Sequence, residues 1–278
     1  MSLDFPRQKL GHFPTPIEYL KNISNHLNGP QIYIKRDDCT GLATGGNKTR
    51  KLEYLIPDAI KNKATLVVTV GAVQSNHARQ TAAACAILNL KCLIVLEKRL
   101  IDAPKVYNNS ANIFLDKLLG AEIIYCPEER DVKEFAEEII EKRRIDGEIP
   151  YFIPVGGSNE IGELGYVECM REIIQETKNN KFTHIIVASG SGGTHSGSIV
   201  GKIYYKYNAN IIGISVKDKK IDQEEKVLNL ATKCCDYIKC AYPKREEILV
   251  FDDYVGKGYG IPTEGMREAV NLLAKKEA

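Results

Sequence analysis

The 278-residue chain reads as an α/β protein built on parallel sheets. Three observations predict this. Short β-rich runs alternate with helical patterns along most of the chain. The runs are apolar and mostly β-branched without strict alternation, as in strands covered on both faces. Loops rich in small and polar residues follow several runs and lead into helices, and open α/β sheets bind ligands at such junctions. Repeated β-then-α order implies right-handed parallel crossovers. At this length two domains are expected, and one large α/β domain is also compatible.

The expected strands, in order, are 65–70, 92–97, 122–126, 151–155, 184–189, 210–216 and 248–251. Each is a short, largely apolar run, and most are rich in β-branched residues. The stretches between them are longer and carry helical patterns: 49–62, 77–89, 109–119, 132–144, 161–177, 196–207, 223–234 and 264–276. The Asn- and Lys-rich stretch around 178–181 reads as an exposed loop. No internal repeat or low-complexity segment occurs.

Composition narrows the function classes. Apolar residues make up 44% and charged residues 27%, which excludes a disordered, collagenous or fibrous chain. Basic residues (38) and acidic residues (36) nearly cancel, so no broad footprint for nucleic acid or an anionic membrane is present. The most apolar stretch, near 82–96, is interrupted by Asn89 and Lys91 and is too short to span a bilayer. The first residues have no apolar segment of the signal-peptide kind. The eight cysteines contain no C-x-x-C pair and sit mostly in apolar runs, where a reduced thiol acts as a small hydrophobe. Reducing cytosol is the expected compartment. Cys234, Cys235 and Cys240 lack a nearby His, and adjacent cysteines make poor tetrahedral ligands, so no metal site is expected.

The loop Gly190-Ser191-Gly192-Gly193-Thr194 follows a strand and opens a helix. Its glycines allow close approach, and its N–H groups with the helix dipole favour a phosphate. Ser191 and Thr194 add hydroxyls. The Gly-Lys-Ser/Thr ending of a nucleotide P-loop is absent, and His195 replaces the third glycine of a dinucleotide fingerprint. The plain alternative is a tight turn with Thr194 as helix N-cap. Three glycines and two hydroxyls exceed what a cap needs, which puts phosphate binding first.

Lys48 follows Gly45 and Gly46 and enters a helix, whose positive end depresses an amine pKa, as a Schiff-base lysine requires. The alternative is a solvated surface lysine. Lys51, one turn on, adds positive charge and can pair with a phosphate. Ser75 and Asn76 open the helix at 77–89, either as its caps or, with Ser75 donating, as a carboxylate site. His77 is a general base or a polar first-turn residue. Tyr259, between Gly258 and Gly260, is either an aromatic lid or a phenol that stacks on a ring or relays a proton.

With these residues assembled, the chain resembles the D-cysteine desulfhydrase and 1-aminocyclopropane-1-carboxylate deaminase family. The resemblance rests on Phe13-Pro-Thr-Pro-Ile17, Ile34-Lys-Arg-Asp-Asp38, Gly45 through Tyr54, Gly71 through His77, Val155 through Asn159, Ala188 through His195, Asp252-Asp-Tyr254 and Gly258 through Pro262, in the family's order along the chain. It implies a pyridoxal 5'-phosphate enzyme with two open parallel-sheet α/β domains and the cofactor in the cleft between them. Residues 51–159 would form the smaller domain, and 1–50 with 160–278 the larger. Lys48 would bond covalently to the cofactor. Gly190, Ser191, Gly192, Gly193 and Thr194 would cradle its phosphate, with Lys51 assisting. Asn76 would hydrogen-bond the ring's phenolic oxygen. Ser75 would bind the substrate carboxylate or assist proton transfer, and Tyr259 would lie beside ring and substrate.

The resemblance further implies a small amino-acid substrate and a homodimer. Val73 through His77 and Gly192 through His195 favour the desulfhydrase branch, with D-cysteine giving hydrogen sulfide, pyruvate and ammonia. The deaminase reaction and cysteate as substrate are the neighbouring alternatives. Family members continue past the last helix with a segment that supplies the ring-nitrogen partner and a second tyrosine, whereas this chain stops at Ala278. That departure implies uncovered apolar surface, lower stability, and an alternative reading as a cofactor-holding protein with little turnover.

Overall fold

A computed structural model describes residues 3–100, 103–177 and 181–278; part of the loop expected around 178–181 lies outside them. The chain opens with β1 (Ile17–Tyr19), α1 (Lys21–Leu27) and β2 (Tyr33–Lys35), then α2 (Lys48–Lys61). Next come β3 (Leu66–Ala72), α3 (Asn76–Ile87), β4 (Lys91–Glu97), α4 (Ala111–Leu118), β5 (Glu122–Tyr125), α5 (Val132–Ile145) and β6 (Pro150–Ile153). The remainder is α6 (Leu164–Glu176), β7 (His184–Ser189), α7 (Gly193–Tyr204), β8 (Asn210–Ser215), α8 (Lys220–Ile238), β9 (Leu249–Phe251) and α9 (Glu264–Glu277).

Among the described residues, the strands form three sheets. One is a parallel sheet in the order β5-β4-β3-β6, and another is parallel in the order β7-β8-β9. The β-then-α pattern is thus realised twice. The third, an antiparallel β1–β2 pair, has three residues per strand and pairs Glu18 with Ile34.

The first sheet explains why its strands are continuous apolar runs. Val67, Cys92, Ile94 and Leu96 point to one face and pack on Leu52, Leu55 and Ala59 of α2 and Ala78 and Ala82 of α3. The alternate residues Leu66, Val68, Val70, Leu93 and Val95 point to the other and pack on Ala136, Ile139 and Ile140 of α5. A side-chain period of two buries both sets because both faces are covered.

The second sheet departs from that expectation. Ile211 is buried in a core with Met170 of α6 and Ile199 of α7, and Val250 is buried too, but Ile186 is 67% exposed, and Phe251 on the same face is exposed too. This sheet is covered on one face among the described residues. The two halves meet at α2 and α6. Gly165 of α6 lies so close to α2 that an added Cβ would stand 2.3 Å from the Arg50 carbonyl oxygen. Tyr54 of α2 joins Leu164, Val167 and Val200 in a shared core. Nearby, the buried Arg50 guanidinium bonds Asp37 and Glu172, and Tyr166 donates to Asp37 at 2.6 Å. This pairing satisfies charges that would otherwise be costly to bury. No helix among the described residues is long and apolar enough to cross a membrane.

Candidate active site

Lys48 is the first residue of α2. The turn before it needs glycine: Gly45 has φ +76°, and a Cβ there would fall 1.9 Å from the Asp38 carbonyl oxygen. The Lys48 ammonium donates to Asn47 Oδ1 at 3.0 Å, and no carboxylate among the described residues pairs with it. Burial lowers its pKa to about 8, so about a tenth is already the free amine at pH 7, far more than for an exposed lysine. It is therefore not the solvated surface lysine of the plain alternative. Asn47 Nδ2 donates to Thr194 Oγ1 at 3.0 Å, which links the N-termini of α2 and α7.

The α7 N-terminus corrects the capping alternative. The helix starts at Gly193, three residues earlier than the apolar pattern suggests, so Thr194 lies inside its first turn. Gly192 (φ +89°) occupies the cap position, and no side chain caps the helix. The first N–H groups of a helix have no intrahelical acceptor. Among the described residues, only that of Gly193 finds a side chain, Ser158 Oγ at 3.2 Å. The others, with the Ser191 and Thr194 hydroxyls, leave donors at the helix end, where the dipole favours negative charge. His195 is buried beneath β8, where Gly213 makes room; a Cβ there would lie 2.3 Å from its Nδ1.

Lys51 stands behind this loop and does not line the cavity. Its Nζ donates to the Gly156 carbonyl at 3.0 Å and to Ser158 Oγ at 3.1 Å. Burial and the neighbouring Lys48 charge hold its pKa well below the usual lysine value, while Glu163 opposes them. Gly193 must remain glycine, since a Cβ would come within 2.7 Å of Lys51 Nζ and 2.5 Å of Ser158 Oγ. Gly156 and Ser158 come from the loop after β6. The sequence marks that loop as a ligand-type junction but assigns no role to its residues. Its small residues were the available signal.

At the N-terminus of α3, Ser75 is the cap and accepts the Ala78 N–H at 3.1 Å, leaving its own proton to donate. Asn76 Oδ1 accepts from Arg79 Nη1 at 2.9 Å and Asn112 Nδ2 at 3.0 Å. His77 is a buried residue rather than a base. Thr69 Oγ1 spends its proton on the Ile153 carbonyl, so His77 Nε2, 2.8 Å away, must donate to it. Burial, with Lys48 and Lys51 nearby, holds the ring well below its usual pKa and neutral.

Tyr259 is 45% exposed, with the Arg99 guanidinium 5.0 Å from its ring centre. A cavity of about 680 Å³ brings Lys48, Ser75, Asn76, Gly190, Ser191, Gly192, Thr194 and Tyr259 together, with Asn47, Gln74 and Arg99 on its wall. Of the residues singled out in the sequence as candidates for the site, only Lys51 and Gly193 lie outside its lining.

Three comparisons bear on this arrangement. A solved structure described as an ACC deaminase homologue matches with a TM-score of 0.89 at 37% identity, over 99% of this chain and 81% of that one. A hydrogen sulfide-producing enzyme from Fusobacterium nucleatum shares the fold, with a TM-score of 0.63 at 18% identity over 100% of this chain and 85% of that one. A pyridoxal 5'-phosphate-dependent aspartate racemase shares it over 76% of this chain and 59% of that one, with a TM-score of 0.56 at 22% identity. The family model for pyridoxal-phosphate-dependent enzymes matches residues 8–278, and the chain belongs to that family.

Proposed function

We propose that this chain is a pyridoxal-phosphate-dependent lyase that removes a leaving group from Cβ of a small amino acid. D-Cysteine, yielding hydrogen sulfide, pyruvate and ammonia, is the foremost substrate. The carrying observation is the Lys48 amine: half-buried, facing the cavity, paired among the described residues with a neutral amide oxygen alone, and depressed to about 8. An amine in that state is both a nucleophile and a base at neutral pH.

The donor set suits the cofactor. Lys48 would hold its carbonyl carbon. The uncapped end of α7, Gly190 through Thr194, would hold its phosphate, with Lys51 contributing positive charge from behind. Asn76 Nδ2 would meet the phenolic oxygen. The bound cofactor supplies an electron sink for charge developing on Cα. The protein supplies the remainder. Lys48 Nζ takes the Cα proton. Ser75 turns its hydroxyl and the end of α3 toward the substrate carboxylate. Tyr259 covers ring and substrate. We place residues 51–159 in the smaller of two lobes that close on the cavity.

A second reading is 1-aminocyclopropane-1-carboxylate deamination, supported by the match to the ACC deaminase homologue. That substrate has no Cα hydrogen, so Lys48 could not begin by removing one. The cofactor-loaded protein should release sulfide from D-cysteine, and Lys48→Ala should abolish both release and the borohydride-reducible chromophore. Formation of 2-oxobutanoate from the cyclopropane substrate without sulfide release would establish the second reading instead. A yellow protein releasing neither product would reduce the chain to a cofactor-holding role.

A further inference from the structure

Behind Asn76 lies a buried polar cluster that the reading above does not use. Arg79, one turn further along α3, is buried and spreads its guanidinium over three acceptors. Nη1 donates to Asn76 Oδ1 at 2.9 Å and to Asn112 Oδ1 at 2.5 Å, and Nη2 donates to the Gly45 carbonyl at 2.8 Å. Asn112, on α4, returns its Nδ2 to Asn76 Oδ1 at 3.0 Å. Its own backbone N–H is fixed by Gln74 Oε1 at 3.0 Å, and Gln74 Nε2 is held by the Ser110 carbonyl at 2.9 Å. Asp116, fully buried on α4, interacts electrostatically with the same guanidinium without a hydrogen bond.

Two donors, one of them charged, therefore converge on one oxygen of Asn76. An amide can be placed in either of two orientations, and its bonding partners decide which. Here the oxygen is spoken for, and Nδ2 is the group left to donate at the cavity wall. The cationic partner also polarises the amide and makes its N–H a stronger donor to an anion.

We propose that Arg79, with Asn112, is a positioning residue: it locks the Asn76 amide with Nδ2 toward the cofactor's ring oxygen and thereby selects the ionised form of that oxygen. The same guanidinium reaches the Gly45 carbonyl in the turn before Lys48 and so ties both parts of the site to one cation. This rests on the reading that Asn76 meets the ring oxygen, and the test separates the two claims.

The readout is the visible spectrum of the cofactor-loaded protein, titrated with pH, alongside thermal unfolding. Asn76→Ala should raise the chromophore's ionisation midpoint by about one unit, the tenfold change expected when a hydrogen bond to an ionised group is lost. Arg79→Met and Asn112→Leu should each raise it in the same direction, and Arg79→Lys by less. In the Asn76→Ala background, Arg79→Met should add nothing to the midpoint, since it acts through Asn76. An unshifted Asn76→Ala spectrum would overturn the underlying reading. A shifted Asn76→Ala with unshifted Arg79→Met and Asn112→Leu would overturn the positioning role alone. So would an Arg79→Met shift that persists in full without Asn76. Asn112→Leu leaves the Arg79 cation in place and keeps the test available should Arg79→Met fail to fold.

Discussion

Ser158 donates its hydroxyl to Ser191 Oγ at 2.8 Å, and that bond joins the loops that follow β6 and β7, strands of different sheets. Ser158 Oγ also accepts from Lys51 Nζ and from the Gly193 N–H. One hydroxyl thus uses its proton and its lone pairs to hold the glycine loop at 190–194 against α2. Ser158→Ala strands the Gly193 N–H and one Lys51 donor. The expected cost is about 1–3 kcal/mol of stability, the penalty for buried groups left unpaired. Cofactor affinity should fall about tenfold because the loop is no longer pre-organised. Thermal unfolding and spectroscopic cofactor titration measure both, and an unchanged pair of values would remove Ser158 from the site.

Lys48 carries a prediction that needs no turnover. Its pKa near 8 is set by burial, so the neutral amine persists where exposed lysines are fully protonated. In cofactor-free protein, acylating or reductive-alkylating reagents should modify Lys48 first, with a midpoint near pH 8. Mass-spectrometric mapping across pH would show this. Modification that rises only near the ordinary lysine range would contradict the environment described for it.

Asp116 should make stability depend on pH. Its carboxylate oxygens are buried without a hydrogen-bond partner, and burial raises its pKa to about 7 against the opposing pull of Arg79. A carboxyl group whose pKa is higher in the folded than in the unfolded chain favours folding at low pH. That contribution is complete below the unfolded value near 3.8 and is lost as pH rises to about 7. Asp116→Asn should therefore stabilise the protein above pH 7, by about 1–3 kcal/mol from removing an unbonded buried charge. The gain should vanish near pH 4. Unfolding curves at pH 4 and pH 8 test the sign, and stabilisation confined to acid would refute it.

The legible parts of this fold were those whose period is fixed by burial. The strands of the first sheet, covered on both sides, are continuous apolar runs, and β3 and β4 lie within two residues of expectation. The β1–β2 ladder was not legible, because three-residue strands with half-exposed side chains carry no period. The α7 start was misjudged because its first turn is Gly-Thr-His, with no apolar residue to mark it. That misplacement made Thr194 look like a cap. Glycine-rich loops and the Gly-Gly-Asn-Lys turn revealed the lining residues, since close approach demands glycine. Of the supports behind them, Ser158 lay in a loop the sequence marked without a role, whereas Arg79 and Asn112 were hidden. Nothing local distinguishes a buried arginine from a solvated one before the chain is folded.

Arg99 and Tyr259 give the last prediction. Arg99 follows β4, Tyr259 follows β9, and both line the cavity, with the guanidinium 5.0 Å from the ring centre. The contact therefore bridges the mouth between segments that follow strands of different sheets. With Tyr259 half exposed, such a pair contributes only about 0.5–1 kcal/mol. That is weak enough to open for substrate and strong enough to bias closure. Arg99→Ala should raise KM by about two- to fivefold, the fold-change equivalent of that energy, with kcat nearly unchanged. Tyr259→Phe keeps the ring and the cation contact, so its KM should match the wild type. Its kcat decides what the hydroxyl does. A closing lid predicts little change, whereas a proton relay predicts a loss of about a hundredfold or more. The exposure of the ring and its stacking on Arg99, with no hydrogen bond to the phenol among the described residues, favour the lid. A large kcat loss in Tyr259→Phe with KM intact would reverse that choice.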